Sequence, residues 1–155
     1  DPEDLGRVVE TVLRGDGDYV KGHRLGRGSR PAGMPLGRYL AARPLGLLTR
    51  LASGYEHLGD PQSGYTAISR RCLEDLPLET LHESYGYPNH MLILLGASGK
   101  RVVEVPVRPV YGQGEVSGIR PWRDVPRLLV LLGRGYLWRR LQRRRVETVF
   151  APSAH

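Results

Sequence analysis

Cysteine is nearly absent from the sequence. Cys72 stands alone among 155 residues, which excludes an internal disulfide framework and a zinc site built on several thiolates. Long apolar runs are missing as well: no stretch approaches the roughly 18 residues that span a bilayer, and the first residues do not read as a secretory signal. Lysine is scarce, since of 23 basic residues only Lys21 and Lys100 are not arginine. Core-forming residues are not lacking. With 40% hydrophobic and 25% charged residues, the composition is that of a folded chain, and the length fits one domain.

The net charge of +7 is concentrated near the C-terminus, where Arg134, Arg139, Arg140, Arg143, Arg144 and Arg145 alternate with leucine, tyrosine and tryptophan. Such a balance attracts phosphates, nucleic acid or an anionic membrane surface. A compositional bias toward arginine, with no partner, accounts for it equally well.

Periodicity predicts alternating helices and strands, hence an α/β sandwich. Residues 2–14 read as a helix opened by Pro2, Glu3 and Asp4, with Leu5, Val8, Val9, Val12 and Leu13 at helical spacing. A short strand over 18–22 runs into His23 and Arg24, and a loop over 26–35 follows. A helix over 36–55 carries Leu36, Tyr39, Leu40, Leu47, Leu48 and Leu51, with Pro44 expected to kink or split it. After a polar turn come a strand at 66–68 and helices over 70–76 and 88–97. Residues 101–110 form the strongest strand pattern, built on valines. A glycine-rich loop over 111–120 leads to a long amphipathic helix over 122–145.

Three stretches in order resemble inverting family-2 glycosyltransferases of the dolichyl-phosphate mannose synthase and polyprenyl-phosphate sugar synthase kind. Gly59-Asp60-Pro61-Gln62-Ser63-Gly64-Tyr65-Thr66-Ala67-Ile68-Ser69 resembles the acceptor-side loop. Tyr85-Gly86-Tyr87-Pro88-Asn89 resembles the opening of the following helix. Glu104-Val105-Pro106-Val107, with Tyr111-Gly112 and Ser117-Gly118-Ile119, resembles the late strand and the loop over the donor phosphates. The resemblance implies the C-terminal, acceptor-side half of a GT-A (Rossmann-like) mixed sheet with flanking helices over 1–121. It further implies an amphipathic juxtamembrane helix over 122–148 and a flexible tail over 149–155. The start at Asp1-Pro2-Glu3-Asp4 looks like the stretch just after the family's Asp-x-Asp motif. The full enzyme is therefore expected to use Mg²⁺ or Mn²⁺ whose ligands are not in this chain.

The partners implied are a nucleotide-sugar donor, a polyprenyl or dolichyl phosphate, and an anionic membrane surface, at whose cytoplasmic face the chain would sit peripherally. A missing N-terminal half, or self-association, would cover the sheet edge; no nucleic-acid partner is expected. Arg24, matching the family's strand-end arginine, is the expected acceptor-phosphate ligand, with Ser117 and Arg120 beside it, although relatives carry an arginine and a Ser-Lys pair in that loop. Asp60 is the expected catalytic carboxylate, accepting a proton or orienting hydroxyls; on the residues alone, Asp60 before Pro61 is equally a turn former. Gln62, Ser63, Tyr85, Tyr87 and Asn89 are expected to line the sugar or acceptor pocket. His90 reads as a helix-surface histidine, and His23 and His57 have no partners at metal-ligand spacing. Trp122, Trp138, Arg139, Arg140 and Arg143 are expected at a membrane surface. A non-catalytic membrane-binding or interaction module derived from such an enzyme is the alternative.

Overall fold

A computed structural model of the chain describes residues 2–24, 36–82, 86–109 and 121–150, with side chains in the last segment described as far as Leu141. The expectations for the loops over 26–35 and 111–120, and for Tyr85, Ser117, Arg120, the Arg143 side chain and residues 151–155, lie outside what is described. The architecture is mixed α/β. In chain order the elements are α1 (Leu5–Leu13), β1 (Tyr19–His23), α2 (Leu36–Ser53), β2 (Thr66–Ile68), α3 (Arg70–Asp75), α4 (Tyr87–Ala97), β3 (Val102–Pro106) and α5 (Pro121–Phe150), with 3-10 turns at Pro2–Asp4 and Leu78–Thr80. The three strands form one sheet in the order β2-β1-β3, with β1 antiparallel to β2 and parallel to β3. Strand β3 is shorter than the valine pattern predicts, because its partner β1 ends at His23, whose carbonyl accepts the last bond from the Val107 amide at 3.1 Å; Pro106 is tolerated because its missing amide lies on the side away from β1.

Register assigns the two faces of the sheet. Tyr19 pairs with Val102, Lys21 with Glu104 and His23 with Pro106, so these alternate residues share one face. The other face holds Val20, Val103, Val105 and Ala67, which pack under Val8 and Val12 of α1. On the first face, Tyr19, Val102 and Ile68 meet Met91, Leu92 and Leu95 of α4, together with Leu58 and Cys72. That face is therefore apolar at the start of β1 and charged at its carboxyl end. In open α/β sheets the carboxyl ends of parallel strands are where ligands bind.

Five consecutive residues of α4, Met91 to Leu95, are buried, so this helix is the centre of the helical layer. Helix α2 crosses it closely enough that a Cβ on Gly96 would press into the Ser53 carbonyl oxygen. Helix α5 packs on both through Leu128 and Leu132, which meet Ala52 and Ile93. This crossing decides which face of α2 is inside. Its inner face is made of small and polar residues (Gly46, Thr49, Ala52, Ser53), whereas Leu36, Leu40, Leu47, Leu48 and Leu51 face outward, with Leu40 57% exposed. The helix passes continuously through Pro44 and ends at Ser53. In α1 the apolar set also divides: Val8 is buried, while Leu5, Val9 and Leu13 are exposed.

Gly96→Ala is expected to destabilise the fold by about 1–3 kcal/mol through overpacking of the α2–α4 crossing. Equilibrium urea unfolding checks this, and an unchanged midpoint would show that the two helices are not in such close contact.

Candidate functional site

The site is assembled where β1 ends. Asp60-Pro61-Gln62-Ser63 forms a tight turn in which the Ser63 amide donates to the Asp60 carbonyl at 3.1 Å, with proline at the position that suits its restricted φ. The turn is tied to β3 by one carboxylate. Glu104 Oε2 accepts from the Gly59 amide at 2.7 Å, and Glu104 Oε1 accepts from the Asp60 amide at 2.8 Å. The same Oε2 lies 3.2 Å from His23 Nδ1. His23 in turn explains why residue 59 is glycine, since a Cβ there would overlap the imidazole ring.

Arg24 and Asp60 meet in a bidentate pair, with Nε donating to Oδ2 at 2.7 Å and Nη2 to Oδ1 at 3.1 Å. The Arg24 amide also donates to Oδ2 at 3.2 Å. Asp60 is 1% exposed, so its charge is balanced inside the protein and not by water. Lys21, the residue opposite Glu104 in the ladder, is fully buried and donates from Nζ to the Ser63 carbonyl at 2.6 Å. Burial pushes its pKa down to about 8, against the opposing pull of Asp60 and Glu104. Two cations, Lys21 and Arg24, thus face two carboxylates, Asp60 and Glu104, around one turn.

A second, uncharged cluster holds the other side of the turn. Gln62 Nε2 donates to Asn89 Oδ1 at 2.6 Å and to Thr49 Oγ1 at 3.1 Å, while the Thr49 hydroxyl lies 2.8 Å from the Leu45 carbonyl. Asn89 and Thr49 are fully buried, and the Asn89 amide nitrogen has no hydrogen-bond partner among the described residues. Two of the five expected pocket residues, Gln62 and Asn89, therefore meet, but as an anchor between the turn, α2 and α4. Ser63 is buried and serves through its carbonyl, whereas Tyr87 stands exposed at the start of α4.

Of the residues expected at a membrane surface, Trp122 is 92% exposed and Trp138 is exposed; Arg140 stacks over Tyr136, one turn earlier on α5. Arg139 has a role within the fold. It donates from Nη2 to the Leu51 carbonyl at 2.7 Å and from Nε to the Ala52 carbonyl at 3.0 Å, so it caps the C-terminus of α2. His90 is half-buried: its Nδ1 accepts from the His82 amide at 3.2 Å, and burial lowers its pKa. Sequence reasoning missed Lys21, Glu104 and Thr49. The available signal was a lone charge inside an apolar strand, at Lys21 and again at Glu104 among valines. Among the described residues, no three His, Cys, Asp or Glu side chains are arranged to hold a metal ion, and Asp60 and Glu104 are engaged by Arg24 and amide donors.

Because the Arg24–Asp60 pair is largely desolvated, Arg24→Ala and Asp60→Asn should each lower stability. The double variant should lose less than their sum, with a coupling of about 2 kcal/mol. A double-mutant cycle read by chemical denaturation tests this; additive losses would show that the two side chains do not interact in solution.

No family model matches the sequence. Individual proteins do. A UDP-N-acetylglucosamine–dolichyl-phosphate N-acetylglucosaminyltransferase of Methanococcus voltae is 27% identical over 110 residues, which is 71% of this chain and 43% of that protein. An undecaprenyl-phosphate mannosyltransferase of Micrococcus luteus is 31% identical over 121 residues, 76% of this chain and 49% of that protein. An uncharacterized protein of Methanocaldococcus jannaschii is 28% identical over 116 residues, 75% of this chain and 47% of that protein. The chain spans about half the length of the curated relatives it matches. Over about three quarters of its own length, the chain is homologous to proteins named as dolichyl-phosphate and undecaprenyl-phosphate glycosyltransferases, the group its motifs resemble.

Proposed function

We propose that the chain is the acceptor-side part of an inverting family-2 glycosyltransferase that moves a sugar from a nucleotide-sugar to a polyprenyl or dolichyl phosphate at a membrane surface. The observation that carries this reading is Arg24, held in a bidentate clamp by buried Asp60 at the carboxyl end of β1. In the reaction proposed, an oxygen of the lipid phosphate attacks the anomeric carbon from the face opposite the nucleoside diphosphate. The bond to that diphosphate breaks, and the diphosphate leaves with the electron pair. The nucleophile needs no base, because a phosphate monoester is largely dianionic at pH 7. What it needs is a guanidinium held in place, and Asp60 fills that role by orienting Arg24.

Mg²⁺ or Mn²⁺ would be held by residues other than those described here, and no step above runs through it. Residues 1–121 form the acceptor-side part in this reading, and α5 together with α2 faces the bilayer at its cytoplasmic side. The outward leucines of α2, and Trp122, Leu129, Leu137 and Leu141 of α5 beside exposed arginines, support that orientation. No helix among the described residues is long and apolar enough to cross a membrane.

The test is transfer from a panel of nucleotide-sugars to a short polyprenyl phosphate, with Mg²⁺ or Mn²⁺ and with a donor-side half supplied. Lipid-linked sugar is expected, with Arg24→Ala slowing transfer by about 100-fold. No product with any donor would contradict the enzyme reading and favour the binding module. For the membrane, replacing Leu40 and Leu47 by Glu should weaken binding to phosphatidylglycerol vesicles more than tenfold, since each leucine contributes up to about 2 kcal/mol on burial. Unchanged sedimentation with vesicles would remove α2 from the membrane face.

A further inference from the structure

Lys21 is a fully buried charge in the middle strand of the sheet, and the transfer chemistry above gives it no part. Its surroundings are specific. The ammonium donates to the Ser63 carbonyl at 2.6 Å and lies 5.7 Å from the Tyr19 ring on its own strand. Glu104 faces it from β3, Asp60 from the turn and Arg24 from the end of β1, while His23 bears on the same Glu104. Thr66 is its partner on β2. A buried ammonium is costly unless it is paired and hydrogen-bonded, so its placement among two carboxylates and a carbonyl calls for an account beyond packing.

We propose that Lys21 is the positioning residue of this site: its ammonium pins the Asp60 turn to β1 through the Ser63 carbonyl and keeps Asp60 and Glu104 charge-balanced while Arg24 engages an acceptor phosphate. The second half of this rests on the functional reading above. With Lys21 protonated, two cations oppose two carboxylates. A phosphate that draws on Arg24 then leaves Asp60 with Lys21 still beside it. With Lys21 neutral, Asp60 depends on Arg24 alone, and the phosphate must compete for the guanidinium. Phosphate affinity therefore falls as Lys21 loses its proton.

The sign of the accompanying stability change is opposite. Lys21 has a folded pKa of about 8 against an ordinary value of 10.5. Between these values the unfolded chain binds more protons, so the contribution of Lys21 to stability rises with pH. Falling affinity across the same window is then not a sign of unfolding.

The experiment has a ligand-free arm and a binding arm. In the first, Lys21→Met should speed amide hydrogen exchange at Gly59, Asp60 and Ser63 at least tenfold while the β1–β3 ladder amides keep their rates. Unchanged turn amides would overturn the positioning role whether or not any phosphate binds. In the second, geranyl phosphate is titrated by calorimetry from pH 7.5 to 9.5, where its own charge is nearly constant. Wild type should lose affinity about fivefold across this range, Lys21→Arg should show no such loss, and Arg24→Ala should lose binding throughout. An alkaline loss that persists in Lys21→Arg, with Arg24→Ala inactive in binding, would overturn the Lys21 proposal alone. Binding unaffected by Arg24→Ala would instead overturn the functional reading. If neither Lys21 variant folds, wild type still decides: affinity and stability moving in opposite directions with pH support the proposal, and parallel movement refutes it.

Discussion

The arrangement at the end of β1 depends on the carboxylate of Glu104. The four-residue turn from Asp60 to Ser63 joins nothing rigid by itself, and its backbone amides would otherwise be satisfied by water. Glu104 accepts from two successive amides, Gly59 and Asp60, with its two oxygens, and it stands opposite Lys21 in the parallel ladder. Hydrogen bonds to a charged acceptor contribute about 1.5–3 kcal/mol each when desolvated. Two such bonds suffice to hold the turn against β3, and the Lys21 bond to Ser63 holds its other end against β1. Asp60 is then presented to Arg24 with little freedom left to lose on binding a ligand.

The helical layer follows from a different constraint. Because Met91 to Leu95 of α4 are apolar around the whole helix, they are covered on every side, and α2 approaches through Thr49, Ala52 and Ser53. The close crossing at Gly96 leaves no room for leucines there. They occupy the opposite face of α2, and α5 lies alongside with Arg139 on the carbonyls that end α2. Packing within the layer thus produces an outward apolar stripe as a by-product, and a membrane surface is the partner proposed for it.

These two constraints explain what could and could not be read from the sequence. Strand β1, the valine strand and the helix boundaries were legible, because period and turn residues act locally: Gly99, at positive φ, follows the end of α4. Arg24 and Asp60 were legible as site residues only through motif resemblance; their pairing across 36 positions was not. The leucine period in α2 identified the residues that share a face, but period carries no information about which face is inside. That was decided by the small residues on the other face of α2, which allow its close crossing with α4 at Gly96. Lys21 was passed over because a lysine in a strand is ordinarily solvated, and its acceptor is a backbone carbonyl 42 residues away that leaves no trace in side-chain pattern. Arg139 reads as part of a basic cluster, yet its guanidinium completes another helix.

The central claim is that one carboxylate on β3 holds the Asp60 turn through two amides. Through-hydrogen-bond NMR couplings measure this most directly, by correlating the Gly59 and Asp60 amide nitrogens with the Glu104 carboxyl carbon. The account predicts both correlations in the unliganded protein, and loss of at least one of them in Glu104→Gln. Neither correlation in wild type, together with solvent-rate exchange of both amides, would contradict it.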